Sequence, residues 1–155
     1  SDNDERAIFF AKGVVETVKK LNWAPDIIHV HGWMASLLPL YIKEYYSDEP
    51  LFLESKIVTS VYNKDFEGSL NSGLVDKIKF DKISDDKISI LQEPNYTNII
   101  KSAVSNSDAI VQGSSEIPEE IAEEIRNREV PALSFQEEDS FESYLNFYKE
   151  LISEE

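Results

Sequence analysis

Pro25-Asp26-Ile27-Ile28-His29-Val30-His31-Gly32 is the stretch whose reading decides the fold. Proline closes off what precedes it, a short and mostly apolar run follows, and glycine ends it. An apolar run of this length without strict alternation predicts a strand covered on both faces, as in parallel sheets. Upstream, Asp2 with Glu5 makes a capping-box-like start, and Phe10, Val14, Val18 and Leu21 recur at helical spacing. Downstream, a helix is predicted over 34–46, with Leu37, Leu38, Tyr41, Ile42 and Tyr45 as its apolar side and Pro39 confined to its first turns.

The same alternation continues. A β-branched run over 56–63 reads as a second buried strand. Residues 65–95 are polar, with short helical pieces around 75–80 and 87–91. A helix over 96–106 leads to a strand over 108–112. Gly113-Ser114-Ser115 then opens a helix with Pro118 in its first turn and Ile121 and Ile125 inside. A last strand over 130–135 precedes a helix capped by Asp139 with Glu142, carrying Phe141, Tyr144, Leu145, Tyr148 and Leu151. Strands alternating with helices four times predict an α/β fold, a three-layer Rossmann-like parallel sheet with helices on both faces.

Parallel βα units ordinarily open with a strand, whereas this chain opens with a helix and has no Met at Ser1. The expectation is a single partial N-terminal domain over 1–155, lacking its N-terminal strand or strands and the glycine-rich loop that follows. The sequence has 5 Gly and no G-x-G-x-x-G or P-loop pattern. An edge left unpaired in this way would favour a homo-oligomer.

Composition narrows the partners. Thirty acidic against 15 basic residues give a net charge of −15, which repels nucleic acid and anionic membrane surfaces. The sequence has no cysteine, hence no disulfide or thiolate metal site. It has no apolar run of about 18 residues to span a membrane and no secretory pattern, so a cytoplasmic setting is expected. The glutamates at 116, 119, 120, 123 and 124 read as a solvated helix face.

Ligands of open α/β sheets bind beyond the carboxyl ends of the strands. Here those ends are His31-Gly32-Trp33, Tyr62-Asn63 and Gly113-Ser114-Ser115. His29 and His31 point to one face, but with 2 histidines in all and no acidic cluster beside them, no metal site is expected. His29 reads as a buried, backbone-bonded histidine, and His31, at the exit, can reach a ligand. Trp33 either packs or stacks on a sugar. Asn63 bonds hydroxyls or closes a turn, and Ser114 and Ser115 either present N–H groups to a phosphate or cap a helix. No G-x-S-x-G elbow is present for a serine nucleophile.

These residues carry a resemblance. Asp2-Asn3-x-x-Arg6, then Pro25 through Met34 with Ala35, Leu37, Pro39 and Tyr41, resemble the D-N-x-x-R and P-D-[IV]-[IV]-H-x-H-D-W-H-x-x-L-x-P of the glycogen/starch synthases. Thr59-Ser60-Val61-Tyr62-Asn63 with Glu67-Gly68, and Ile99 through Ala103 with Ser107 through Ile110 and Ser114 through Ile121, are similar to later blocks of that family. The resemblance implies a glycosyltransferase half that works with ADP-glucose as donor substrate and an α-1,4-glucan as acceptor, with retention and no resident cofactor. His31, Gly32, Trp33, Tyr62, Asn63 and Ser114 would then bind substrate.

The departures are specific. The family's H-D-W-H becomes His31-Gly32-Trp33-Met34, so the histidine placed on the transferred glucose is replaced by Met34. The His of its H-N pair becomes Tyr62, and a Gln becomes Glu67. The resemblance therefore implies a synthase-like domain without confident catalytic residues, inactive as an isolated chain. The alternatives are a non-catalytic domain that binds glucan or a protein partner, and an unrelated flavodoxin-like module.

Overall fold

The computed structural model describes residues 2–137 and 140–153. Four strands form one all-parallel sheet in sequence order: β1 (Ile27–His31), β2 (Lys56–Val61), β3 (Ala109–Gln112) and β4 (Ala132–Leu133). The register pairs Val30 with Thr59, Thr59 with Ile110, and Ile110 with Ala132, giving the parallel α/β arrangement predicted. β4 is two residues long rather than the six expected, because Pro131 has no N–H to donate and offers only its carbonyl, to the Ile110 N–H at 3.0 Å.

The helices are α1 (Asn3–Lys20), α2 (Leu38–Leu40, continued by a π-helical turn over Tyr41–Tyr45), α3 (Leu74–Phe80), α4 (Asp85–Ile88), α5 (Tyr96–Ser105), α6 (Glu119–Arg128) and α7 (Phe141–Ser153). Side chains alternate across β2, so Ile57 and Val61 face one layer and Val58 and Ser60 the other. The first layer joins α1, α2, α3 and α5 around Val30, Leu40, Ile57, Ile78 and Ile99, with α5 and α6 enclosing Val61, Ile100, Ile110 and Ile121 beside it. The second is covered by α7, whose Phe147 and Leu151 bury Val58, Ala109 and Val111.

Several predicted details differ. In α1 the buried stripe is Ala7, Ala11 and Val15, whereas Phe10 and Leu21 are exposed. Small side chains let α1 lie close on the layer beneath; Val14 and Val18 pack partly buried against it, and Phe10 and Leu21 face outward. Asp2 makes no side-chain cap bond; its carboxylate accepts from Arg6 Nε at 3.2 Å instead. In α2 the π turn, closed by Tyr46 N–H to Tyr41 C=O at 2.9 Å, adds a residue to the winding and swings Tyr45 outward. The helix expected to start at Ser114 begins at Glu119, because Pro118 fixes the turn before it. The Asp139 cap lies outside the described residues.

Buried polar groups tie the elements together. Lys12 and the Tyr41 hydroxyl (2.7 Å) both bond Asp81, and Lys77 bonds the fully buried Asp4 at 2.6 Å. Asp108 accepts from the Ile57 N–H at 2.8 Å and from Lys43 at 2.9 Å, joining β2 to the start of β3. No described helix is long and apolar enough to cross a membrane.

Candidate functional site

A parallel sheet brings the carboxyl ends of its strands to one rim, and the predicted residues meet there. β1 ends at His31, and Gly32 follows with φ 75° and ψ 163° before a 3₁₀ turn over Trp33–Ala35. A Cβ on Gly32 would meet nothing within 4 Å, so the backbone angle rather than crowding demands glycine. Ser36 Oγ holds this turn by donating to the Gly32 carbonyl at 3.0 Å.

β2 runs on into Tyr62 and Asn63. The Tyr96 hydroxyl lies 3.0 Å from the Tyr62 carbonyl and 2.9 Å from that of Asn63, so one buried tyrosine from α5 anchors the strand end. Asn63 N–H donates to Ser114 Oγ at 3.1 Å, and its side-chain oxygen accepts from the Lys64 N–H at 2.8 Å. Asn63 thus has the turn geometry. Gln112 Nε2 donates to the carbonyls of Ser114 and Ser115 at 3.0 and 3.2 Å, which fixes the third loop. Ser114 caps no helix; it latches the second strand end to the third.

The histidines sit on the face under α7. Their rings stack with centroids 4.1 Å apart. His29 Nε2 lies 2.7 Å from Ser60 Oγ, and His29 Nδ1 bonds the Tyr148 hydroxyl. His29 is therefore satisfied by side chains, where a backbone partner was expected. His31 Nδ1 lies 2.7 Å from the Tyr62 hydroxyl. Burial, with the neighbouring His31 adding to it, pushes His29 down to about 4. Burial lowers His31 as well, so both rings are neutral at neutral pH. Burial also raises the Tyr62 phenol, with Ser60 opposing.

Trp33 turns inward. Its ring meets Phe66 edge-on at 5.2 Å, and Phe66 meets Tyr96 at 5.7 Å, so the packing alternative describes its surroundings. The rim therefore gathers His31, Gly32, Tyr62, Asn63 and Ser114, with Trp33 behind them. Gln112, Tyr96, Ser60 and Tyr148 were not singled out from the sequence. Ser60, two residues before Tyr62 on one strand face, carried a readable signal; Tyr148, 119 residues from His29, carried none. Among the described residues no group of three or more His, Cys, Asp or Glu could hold a metal ion. An apolar groove of about 890 Å³ lies elsewhere, along the outer face of α1 beside Phe9, Phe10, Gly13, Val14 and Met34.

A Rossmann-like parallel sheet with a polar rim at its strand ends defines the class of open α/β proteins that bind ligands at that rim, and comparison narrows it. A family model described as the starch synthase catalytic domain matches residues 1–133. The chain is 33% identical over 135 residues to a glycogen synthase of Chlorobium luteolum, covering 87% of this chain and 26% of that protein. It is 31% identical over 120 residues to a glycogen synthase of Clostridium perfringens, covering 77% and 25%. To a glycogen synthase of Thermotoga petrophila it is 32% identical over 125 residues, covering 79% and 25%. The chain belongs to the starch/glycogen synthase family of glycosyltransferases. It spans about a quarter of the length of these curated relatives.

Proposed function

We propose that the chain is a partial N-terminal synthase-type domain serving glucosyl transfer from ADP-glucose to an α-1,4-glucan, that it faces the sugar with the rim of its sheet, and that it does not complete the transfer alone. The observation that carries this reading is the convergence of His31, Tyr62, Asn63 and Ser114 at the strand ends, within the span matched by the family. A neutral imidazole, a carboxamide and a hydroxyl supply donors and acceptors suited to sugar hydroxyls. Expulsion of a diphosphate requires preorganised positive charge or donors at the leaving group. Beside Asn63 stands an exposed Lys64, paired with Glu67 at 2.6 Å. At position 34, where the family has histidine, a thioether stands with no proton to give or take. With a nucleotide sugar as donor, the proposed setting is the cytoplasm.

Glucan-dependent release of ADP from ADP-glucose tests the catalytic half of the reading. The expected result is none above background, and turnover by this chain overturns it. The sugar half is tested by titrating maltoheptaose while following the two histidine side chains by NMR. His31 should move and His29 should stay, because both His29 ring nitrogens already have protein partners. An unmoved His31 removes the proposed contact.

A further inference from the structure

The polar groups beneath α7 form a row. Tyr148 hydroxyl bonds His29 Nδ1, His29 Nε2 meets Ser60 Oγ at 2.7 Å, and the Tyr62 hydroxyl meets His31 Nδ1 at 2.7 Å. Ser60 and Tyr62, two residues apart along an extended chain, project to the same face. Each hydroxyl carries one proton and each neutral imidazole one N–H.

A phenol is a stronger hydrogen-bond donor than acceptor, and the bare nitrogen of a neutral imidazole is a good acceptor. Tyr62 therefore directs its proton to His31 Nδ1, 2.7 Å away. The N–H of His31 is thereby left on Nε2, the ring atom away from Tyr62, on a side chain that is exposed at the rim.

Tyr62 has a dedicated seat. A Cβ on Gly113 would stand 2.5 Å from Tyr62 Cε1 and 2.8 Å from Cδ1 and Cζ, closer than real Cβ atoms approach. Gly113 N–H is also fixed, donating to the Val61 carbonyl at 2.7 Å, so the loop cannot withdraw without breaking a bond. The glycine and the tyrosine are one device.

We propose that Tyr62 is a positioning residue that holds His31 in its Nε2–H tautomer, so that the ring presents a hydrogen-bond donor to a glucan hydroxyl. Its ligand rests on the glucan reading above; its geometry does not. Two variants reach the same contact by different routes. Tyr62→Phe removes the hydroxyl and keeps the ring, and Gly113→Ala keeps the hydroxyl and displaces the ring.

Long-range ¹H–¹⁵N correlation of the histidine side chains at neutral pH reads the tautomer directly. Wild-type His31 should show the Nε2–H pattern with a hydrogen-bonded Nδ1. In both variants the His31 Nδ1 resonance should move and admit the Nδ1–H form, while His29 and the backbone amide map stay in place. An Nδ1–H pattern in the wild type, or an unmoved His31 Nδ1 in Tyr62→Phe, overturns the positioning role. Maltoheptaose should bind Tyr62→Phe about three- to tenfold more weakly than wild type, the size of one net hydrogen bond. Equal affinity despite an altered tautomer overturns the donor role. Failure of the wild type to bind strikes the glucan reading instead, and is distinguished by an intact tautomer result.

Discussion

Gly32 occupies a backbone region, φ 75° with ψ 163°, that is essentially reserved for glycine, in a turn where the family pattern carries aspartate. The side chain lost there is more than a missing carboxylate, because the glycine sets the path from β1 into the 3₁₀ turn that carries Trp33 and Met34. Gly32→Asp should therefore destabilise the fold by about 1–3 kcal/mol, seen as a lower urea midpoint with an unchanged slope. An unchanged midpoint would show that the turn reorients freely. His31, Tyr62, Asn63 and Ser114 could be placed at one rim from sequence because parallel strands share a carboxyl edge, whatever their length. The partners of the histidines could not. Which face α7 covers is decided by packing between residues more than a hundred positions apart, and nothing local to His29 announces Tyr148.

α7 docks by apolar contact of Phe147 and Leu151 and by the Tyr148–His29 bond. The folded state holds His29 near 4, below its ordinary value of 6.5, so the unfolded chain takes up a proton first as pH falls. The contribution of neutral His29 is present above about pH 6.5, declines as pH drops towards 4, and levels off below. His31 shifts in the same direction from burial. Urea midpoints at pH 7, 5.5 and 4 should fall in that order, and His29→Gln should flatten the decline. An identical slope in that variant would assign the effect to His31 and the carboxylates instead. The elements themselves were largely legible, since β1, β2, β3 and α5 lie within two residues of their predicted bounds. The inner face of α1 was not. The core centres on Ala7, Ala11 and Val15, with Val14 and Val18 at its margin and Phe10 and Leu21 outside, because close approach favours small side chains over large ones. Nor does a sequence announce a π turn, which turned Tyr45 outward.

At the scale of the molecule, β1 pairs with β2 alone among the described strands, and Phe9 and Phe80 are 79% and 88% exposed nearby in the α1–α3 layer. An unpaired edge and exposed apolar surface favour association, while a net charge of −15 opposes it. Screening removes the opposing term first. Sedimentation at increasing protein concentration should therefore show self-association that strengthens with added salt. A monomer at all salt concentrations would mean that the edge is passive.

The one-sided layering of the sheet also has a temporal side. Every element up to β4 lies in the sheet or on its first face, and the second face waits for α7. During synthesis no described element covers Val58, Ala109 and Val111 until residues beyond 140 have left the ribosome. Among the described elements, α7 alone closes this apolar β surface, the kind of surface that chaperones bind and aggregates grow from when it is left open. The helix that docks on His29 is thus also the one whose late arrival sets when that face is closed.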